Sequence, residues 1–150
     1  MKKLLRLLMI VVVIGSGCNK DDVPKLKNIE FSITRGMWEL IGEPDEIGSY
    51  YYCIIDVPEL TSNVCNKGLI QCYYCYVDDF GDEVQTPMPF TFYGMDVYEE
   101  SGYQWENPWS VHYSYDVTPG SIAFKIVFSD FLTANWTPPA RCTFRLLLVY

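Results

Sequence analysis

The chain has 150 residues, a formal net charge of −8 at pH 7, and a high aromatic content that includes 12 Tyr and four Trp. Because a negative protein repels phosphate backbones, this composition argues against a nucleic-acid partner. The length suits one domain with a real core, and the long Ala, Glu, Lys and Leu patterns that are typical of helices are missing.

The first 17 residues have the layout of a secretory signal peptide. Lys2, Lys3 and Arg6 form a positive region, and residues 7–14 are an apolar run that three small residues follow. The run is too short to cross a bilayer, which needs about 20 residues. Removal of this segment would leave 133 residues with eight basic and 19 acidic side chains, and therefore a net charge of −11.

The position of Cys18, directly after small residues, resembles a bacterial lipoprotein signal. The resemblance implies cleavage before Cys18 and acylation of its thiol and amino group, and two or three acyl chains hold a protein where one is marginal. The sequence departs from that signal at Gly15, three residues before the cysteine, where the family favours Leu. The alternative is an ordinary signal peptide that happens to contain a cysteine.

Lys20, followed by Asp21 and Asp22, resembles the surface-export signal of Bacteroidota lipoproteins. The resemblance implies a lipid-anchored protein of the outer membrane, exposed at the cell surface, whose link to the membrane is the acyl group (palmitate or a similar chain) on Cys18. The alternative is a plain hydrophilic tether. In both cases we expect a flexible tether at residues 18–27 and a folded domain at residues 28–150.

Alternating polar and apolar residues predict a domain made of strands. The clearest example is residues 121–129, where one face carries Ile122, Phe124, Ile126 and Phe128. The other candidate strands are residues 28–34, 37–41, 50–57, 69–77, 83–86, 90–93, 109–117 and 141–150. Seven or eight strands at roughly ten-residue spacing, with turn signals between them, predict an all-β fold, an antiparallel two-sheet β-sandwich.

Three connecting segments are also assigned from sequence. Residues 58–68 hold one helical turn or a loop, and residues 78–82 form a hairpin connection with Gly81 in the turn. Residues 96–108 show no clear period and are interpreted as a polar, aromatic insertion. The chain ends inside a strand, and we expect residues 141–150 to pair within their own domain, beside a central strand.

Several turn and strand motifs resemble those of small uncharacterised lipoproteins of gut Bacteroidota. The resemblance covers most of the chain after the signal and lies in residues 56–61, Gly68, Pro87–Phe90, Pro119–Ile122 and Phe144–Leu148. It implies no assigned activity and no catalytic residue.

Five cysteines follow Cys18, and an odd number leaves at least one thiol without an intramolecular disulfide partner. They are Cys53, Cys65, Cys72, Cys75 and Cys142. Exported proteins favour disulfides, but the anaerobic habitat that the resemblance implies removes that pressure, so we expect mostly buried free thiols. Within a strand, Cys72 and Cys75 point to opposite faces about 10 Å apart, too far for a disulfide.

The sequence gives little evidence for a catalytic site or a metal site. His112, the only histidine, lies on the polar face of its strand, and no GxSxG or glycine-rich phosphate loop is present. Acids are too numerous to single out a glycosidase pair. The acidic residues 78–83 offer oxygen ligands for calcium, but a solvated hairpin tip is the preferred interpretation. We therefore predict a protein that is not an enzyme and needs no cofactor or metal.

Four aromatic residues in polar sequence are the candidate ligand-binding residues: Tyr103, Trp105, Trp109 and Trp136. Flat rings beside Asn, Asp and Glu are typical of sugar-binding platforms. The alternative is that these rings fold back and cap the ends of the sandwich. The predicted function is a lipid-anchored cell-surface binding or interaction module for a glycan or a protein. The alternative is a structural or accessory subunit that associates through its sheet edges, as Bacteroidota lipoprotein pilins do, and an enzyme comes third.

Overall fold

A computed structural model describes residues 23–130 and 137–150. These residues form nine strands in two antiparallel sheets, so the predicted all-β two-sheet sandwich is confirmed. The predicted signal peptide, the first half of the predicted tether (residues 18–22, with Cys18) and Trp136 lie outside the described residues.

The first sheet contains β1 (Leu26–Thr34), β4 (Leu69–Val77), β5 (Glu83–Pro87) and β9 (Arg141–Val149), in the order β1-β9-β4-β5. β1 begins two residues before the predicted start. β9 lies between β1 and β4 and pairs with both of them along its length. The expectation that the last strand pairs inside its own domain, beside a central strand, is therefore confirmed.

The second sheet contains β2 (Glu39–Ile41), β3 (Tyr50–Asp56), β6 (Phe90–Glu100), β7 (Tyr103–Thr118) and β8 (Ser121–Phe128), in the order β2-β3-β8-β7-β6. A short helix, α1 (Ser62–Lys67), connects the sheets, so the helical alternative for this segment is correct. Thr61 caps α1 because its hydroxyl accepts a hydrogen bond from the backbone N–H of Val64 at 3.3 Å.

The inner faces of the two sheets meet in one core. Phe124 of β8 stacks on Phe144 of β9 with ring centroids 4.3 Å apart, and Phe31 of β1 meets Phe124 edge-on at 6.2 Å. All four apolar residues of the predicted face, Ile122 to Phe128, are buried. The alternation of the strands therefore predicts the core correctly where two sheets face each other.

Contacts at the start of β1 define one end of the sandwich, which we call the tether end. Lys27 forms an ion pair with Glu59 at 2.8 Å, and Lys25 exchanges two backbone hydrogen bonds with Tyr150. The N–H of Gly120 donates to the carbonyl of Leu60, which brings the start of β8 to the same end. β8 then runs away from the tether end for eight residues.

The segment predicted as a short strand followed by an insertion is instead a long hairpin. β6 continues through Gly94 to Glu100, and β7 begins at Tyr103, so the predictions of a strand at 90–93 and an insertion at 96–108 are wrong. β7 pairs with β8 only from Val111 onwards. Residues 94–109 therefore extend beyond the second sheet as a two-stranded ribbon, which we call the arm.

Candidate functional site

The arm is closed by a two-residue turn that suits a hairpin. Ser101 and Gly102 both have positive φ, at 53° and 79°. That combination is the type I′ turn, whose twist matches the right-handed twist of the flanking strands. Glu100 and Tyr103, which flank the turn, face each other in register. Local chemistry at the tip therefore fixes which residues of β6 and β7 lie side by side.

One face of the arm carries an exposed cluster of aromatic rings. Tyr98 lies opposite Trp105, and their rings stack at 5.8 Å between centroids with planes 19° apart. Tyr103 is on the same face at the tip because residues two apart in a strand share a face. The exposed fractions are 43% for Tyr98, 46% for Trp105 and 79% for Tyr103. We call these three residues the aromatic platform.

Polar groups flank the platform on the same face. Asp96 and Asn107 form the next facing pair towards the sandwich, and Glu100 faces Tyr103 at the tip. The hydroxyl of Tyr98 donates to a carboxylate oxygen of Asp96 at 3.4 Å. Flat rings pack on apolar C–H surfaces, while carboxylate and amide groups orient hydroxyls, so this arrangement suits a neutral polyhydroxylated ligand.

Trp109 has a different role, at the base of the arm. It lies opposite Gly94, and its indole covers the space that a side chain at Gly94 would occupy. Trp109 is partly buried and packs against the core. Of the three candidate residues that the structure describes, it is the one that fits the alternative of a ring folded over the end of the sandwich.

The structure thus separates the four residues singled out from the sequence. Tyr103 and Trp105 come together on the platform, Trp109 anchors the base, and Trp136 lies outside the described residues. Tyr103 and Trp105 belong to β7 and not to the insertion predicted at 96–108, and Trp109 lies in the same strand. Sequence reasoning missed Tyr98, although the Ser-Gly dipeptide at 101–102, a typical turn signal, could have revealed the hairpin.

The opposite face of the arm and its outer edge are also apolar. Tyr93, Met95 and Val97 alternate along β6 on this second face, and all three are exposed. Phe92, on the platform face at the base, is exposed as well. In the part of the chain that the structure describes, β6 is one of the two edge strands of its sheet, and β2 is the other.

The chemistry-bearing residues of the sandwich have structural surroundings. His112 is half-buried, and its Nδ1 lies 3.0 Å from the hydroxyl of Thr91 on the outer face of the sheet. One carboxylate oxygen of Asp78 accepts backbone hydrogen bonds from Phe80 and Asp82, both at 2.9 Å, which organises the acidic hairpin tip. Among the described residues, no group of three His, Cys, Asp or Glu is placed to hold a metal ion.

The five described cysteines are free thiols, four of them buried. Cys72 faces the core and Cys75 the outer surface of the first sheet, as the strand geometry predicts. Burial raises the pKa of Cys72 to about 12 and that of Cys142 to about 11. These thiols stay protonated at neutral pH and therefore lack the thiolate that nucleophilic chemistry needs.

Cys75 lies in a shallow cavity of about 360 Å³ on the outer surface of the first sheet. Arg145 crosses this cavity and pairs with Glu30 at 3.2 Å and with Glu83 at 3.0 Å. Burial raises the pKa of Cys75, although the guanidinium of Arg145 opposes the shift. Because both acids already have a cationic partner, the cavity looks like an ion-paired sheet surface rather than a reactive site.

Comparisons of the chain with protein-family models, with curated proteins and with solved structures found no match. Within residues 23–130 and 137–150, no helix has the length and apolar character needed to cross a membrane. The features of the chain that bear on its function are therefore the arm and the N-terminal segment.

Proposed function

We propose that the protein is a non-enzymatic binding module, anchored to the cell surface by lipid on Cys18, that holds glycans on the aromatic platform. The observation that carries the proposal is the exposed ring cluster of Tyr98, Tyr103 and Trp105 on a projecting hairpin. Rings exposed to water do not contribute the free energy that burial of apolar surface provides, and an exposed apolar patch is typical of an interaction site. The acids beside the rings favour neutral hydroxyl-rich ligands over anionic ones.

The location of the arm supports this function. The chain reaches β1 at the tether end, while β8 leads away from that end and the arm continues beyond it. The eight residues of β8 span about 26 Å at a rise of about 3.3 Å per residue. Leu26 is eight positions after Cys18, and a segment of that length spans at most about 28 Å. The platform therefore lies at the end of the domain opposite the segment that would carry the lipid.

Anchoring is tested by the substitution Cys18→Ala in the full chain. We expect the variant to leave the membrane fraction, because the thiol that carries the acyl chains is gone. A neighbouring substitution, Asn19→Ala, is the matched control and should leave the protein in that fraction. If Cys18→Ala still sediments with membranes after an alkaline wash, the lipid-anchor proposal is wrong.

Ligand binding is tested on a glycan array with the protein lacking residues 1–17 and carrying Cys18→Ser. We expect binding to one class of neutral glycans, and loss of that binding in Trp105→Ala. Phe80→Ala is the matched control, because Phe80 is an exposed aromatic residue at the tip of a different hairpin. Equal binding by the two variants, or no binding by the parent protein, would count against the platform.

The second candidate function is a structural or accessory subunit, which the open edge of β6 favours. The terminal strand does not favour it, because β9 is hydrogen-bonded on both sides and its removal would split the first sheet. Association through β6 therefore fits the fold better than donation of the C-terminal strand to a neighbour.

A further inference from the structure

We infer that β6 is a self-association edge, at which two copies of this chain pair antiparallel about a two-fold axis through Met95. The inference goes beyond ligand binding by the platform and does not depend on it. It rests on three properties of β6: which backbone groups face outwards, which residues meet in the symmetric register, and where the acids fall.

The turn decides which backbone groups of β6 are available. The pair that closes a two-residue turn, Glu100 and Tyr103, is a hydrogen-bonded pair, and such pairs alternate along a hairpin. The carbonyl of Ser110 accepts from Ser129, so the even-numbered residues of β7 direct their backbone groups towards β8, as this alternation requires. Even-numbered residues of β6 therefore bond to β7, and odd-numbered residues direct N–H and C=O outwards.

Five residues of β6 consequently present backbone groups at the outer edge: Thr91, Tyr93, Met95, Val97 and Glu99. No described strand pairs with them. A long edge with apolar side chains is a template for another strand, and natural proteins usually blunt such edges with charged side chains, especially Lys, with Pro or with bulges. β6 has three acids, Asp96, Glu99 and Glu100, but no Lys or Pro, and its pairing with β7 continues without interruption from Phe90 to Glu100.

Met95 is the midpoint of β6, so a two-fold axis there lets the whole strand overlap its copy. Because the backbone N–H and C=O of Met95 face outwards, Met95 of one copy and Met95 of the other form a hydrogen-bonded pair. On one face, Val97 then meets Tyr93 of the second copy. On the other face, Tyr98 meets Phe92, where closely spaced rings add to strand pairing. About ten backbone hydrogen bonds would form, two for each of five pairs.

Charge favours this register over the one whose axis lies at Asp96. With the axis at Met95, the three acids of β6 lie opposite uncharged residues: Asp96 opposite Gly94, Glu99 opposite Thr91 and Glu100 opposite Phe90. An axis at Asp96 would place that carboxylate against its own copy, and like charges directly opposite are destabilising. In this register, β6 is complementary to the same strand of a second copy, and the contact is isologous.

The test is disulfide cross-linking of the full chain in its own membranes. In the proposed register the two Met95 Cα atoms lie about 5.5 Å apart, within the range that a disulfide bridges. Met95→Cys should form a covalent dimer under mild oxidation several-fold more than Tyr103→Cys, a control at a more exposed position on the inner strand of the arm. A mixture of Tyr93→Cys and Val97→Cys chains should cross-link to each other, while each variant alone should not.

A charge on the edge supplies the second test. Val97→Lys, introduced beside Met95→Cys, should abolish the cross-link because an edge Lys blocks strand addition. Val77→Lys, at an exposed valine of the first sheet, should leave it intact. Protease resistance of each variant reports that it is folded. Equal cross-linking of Met95→Cys and Tyr103→Cys, or a Met95→Cys adduct with the mass of another protein, would overturn the inference.

Discussion

The two halves of β7 show how one strand pattern serves two purposes. From Val111 to Val117, alternate residues face the first sheet and lie buried or partly buried. Tyr103 and Trp105 continue the same alternation on the same side of the same strand, yet they are exposed. No described element lies opposite them. Burial on β7 is therefore decided by the presence of an opposing sheet and not by the residues of the strand.

This difference explains why aromatic content alone is a poor guide to the core. Tyr113 and Phe90 stack at 4.9 Å inside the sandwich, and Tyr98 and Trp105 stack at 5.8 Å on the arm. The first pair contributes to stability through burial, whereas the second pair leaves a large apolar surface in water. We therefore expect substitutions in the sandwich to lower stability, and substitutions on the arm to lower ligand binding with little effect on stability.

The largest effect is expected from deletion of Leu146–Tyr150. These residues include the end of β9, which pairs with β1 on one side and β4 on the other. Their loss removes the centre of the first sheet, so we expect no cooperative unfolding transition in urea, followed by circular dichroism. A truncated protein that stays soluble and unfolds cooperatively would show that β9 is dispensable and would favour the subunit alternative.

Phe124→Ala should give the next largest effect. Phe124 is fully buried between Phe31 and Phe144, and removal of a buried ring costs about 3–5 kcal/mol through lost burial and the cavity left behind. Urea unfolding measures the change in free energy. A loss below about 1 kcal/mol would mean that this face of β8 is solvated and that the register is wrong.

The buried thiols should make the sandwich sensitive to alkali. Burial raises the pKa of Cys72 from 9.0 to about 12, so the unfolded chain releases this proton at a lower pH than the folded chain. The stabilisation is complete below pH 9 and is lost as the pH rises towards 12, by about 2–3 kcal/mol at pH 11. Urea unfolding at pH 8 and 11 measures this, and Cys72→Ala should show a smaller loss over the same range.

Gly94→Ala tests the base of the arm. An added methyl group at Gly94 would collide with the indole of Trp109, and such overpacking costs about 1–3 kcal/mol. The same substitution in a Trp109→Ala background should cost much less, because the ring that causes the clash is absent. Equal costs in both backgrounds, measured by urea unfolding, would mean that Trp109 does not cover this position.

Trp105→Ala should have the smallest effect on stability. The ring is about half exposed and its stacking partner, Tyr98, is exposed as well, so we expect a change of about 0.5 kcal/mol or less, as for surface substitutions in general. A cost comparable to that of Phe124→Ala would place Trp105 in a core that the described residues do not show.

The same contrast explains what the sequence could predict. Leu69–Val77 matches β4 residue for residue, and the face from Ile122 to Phe128 is buried as expected, because burial against a second sheet imposes the alternation. No opposing sheet imposes a pattern on residues 96–108, so aromatic and polar residues occupy both faces and the period is lost. A glycine such as Gly94 is typical of the end of a strand, but here Trp109 covers it within a continuous strand.

The most direct test of the account replaces Met95–Pro108 with Asn-Gly. Gly94 and Trp109 form a hydrogen-bonded pair, so a two-residue turn can close the hairpin there. Urea unfolding and the glycan array are then measured on the same shortened protein. The account predicts cooperative unfolding with a free energy within about 1 kcal/mol of the parent, together with loss of glycan binding. A shortened protein that fails to fold, or that still binds, would contradict the separation of a stable sandwich from a binding arm.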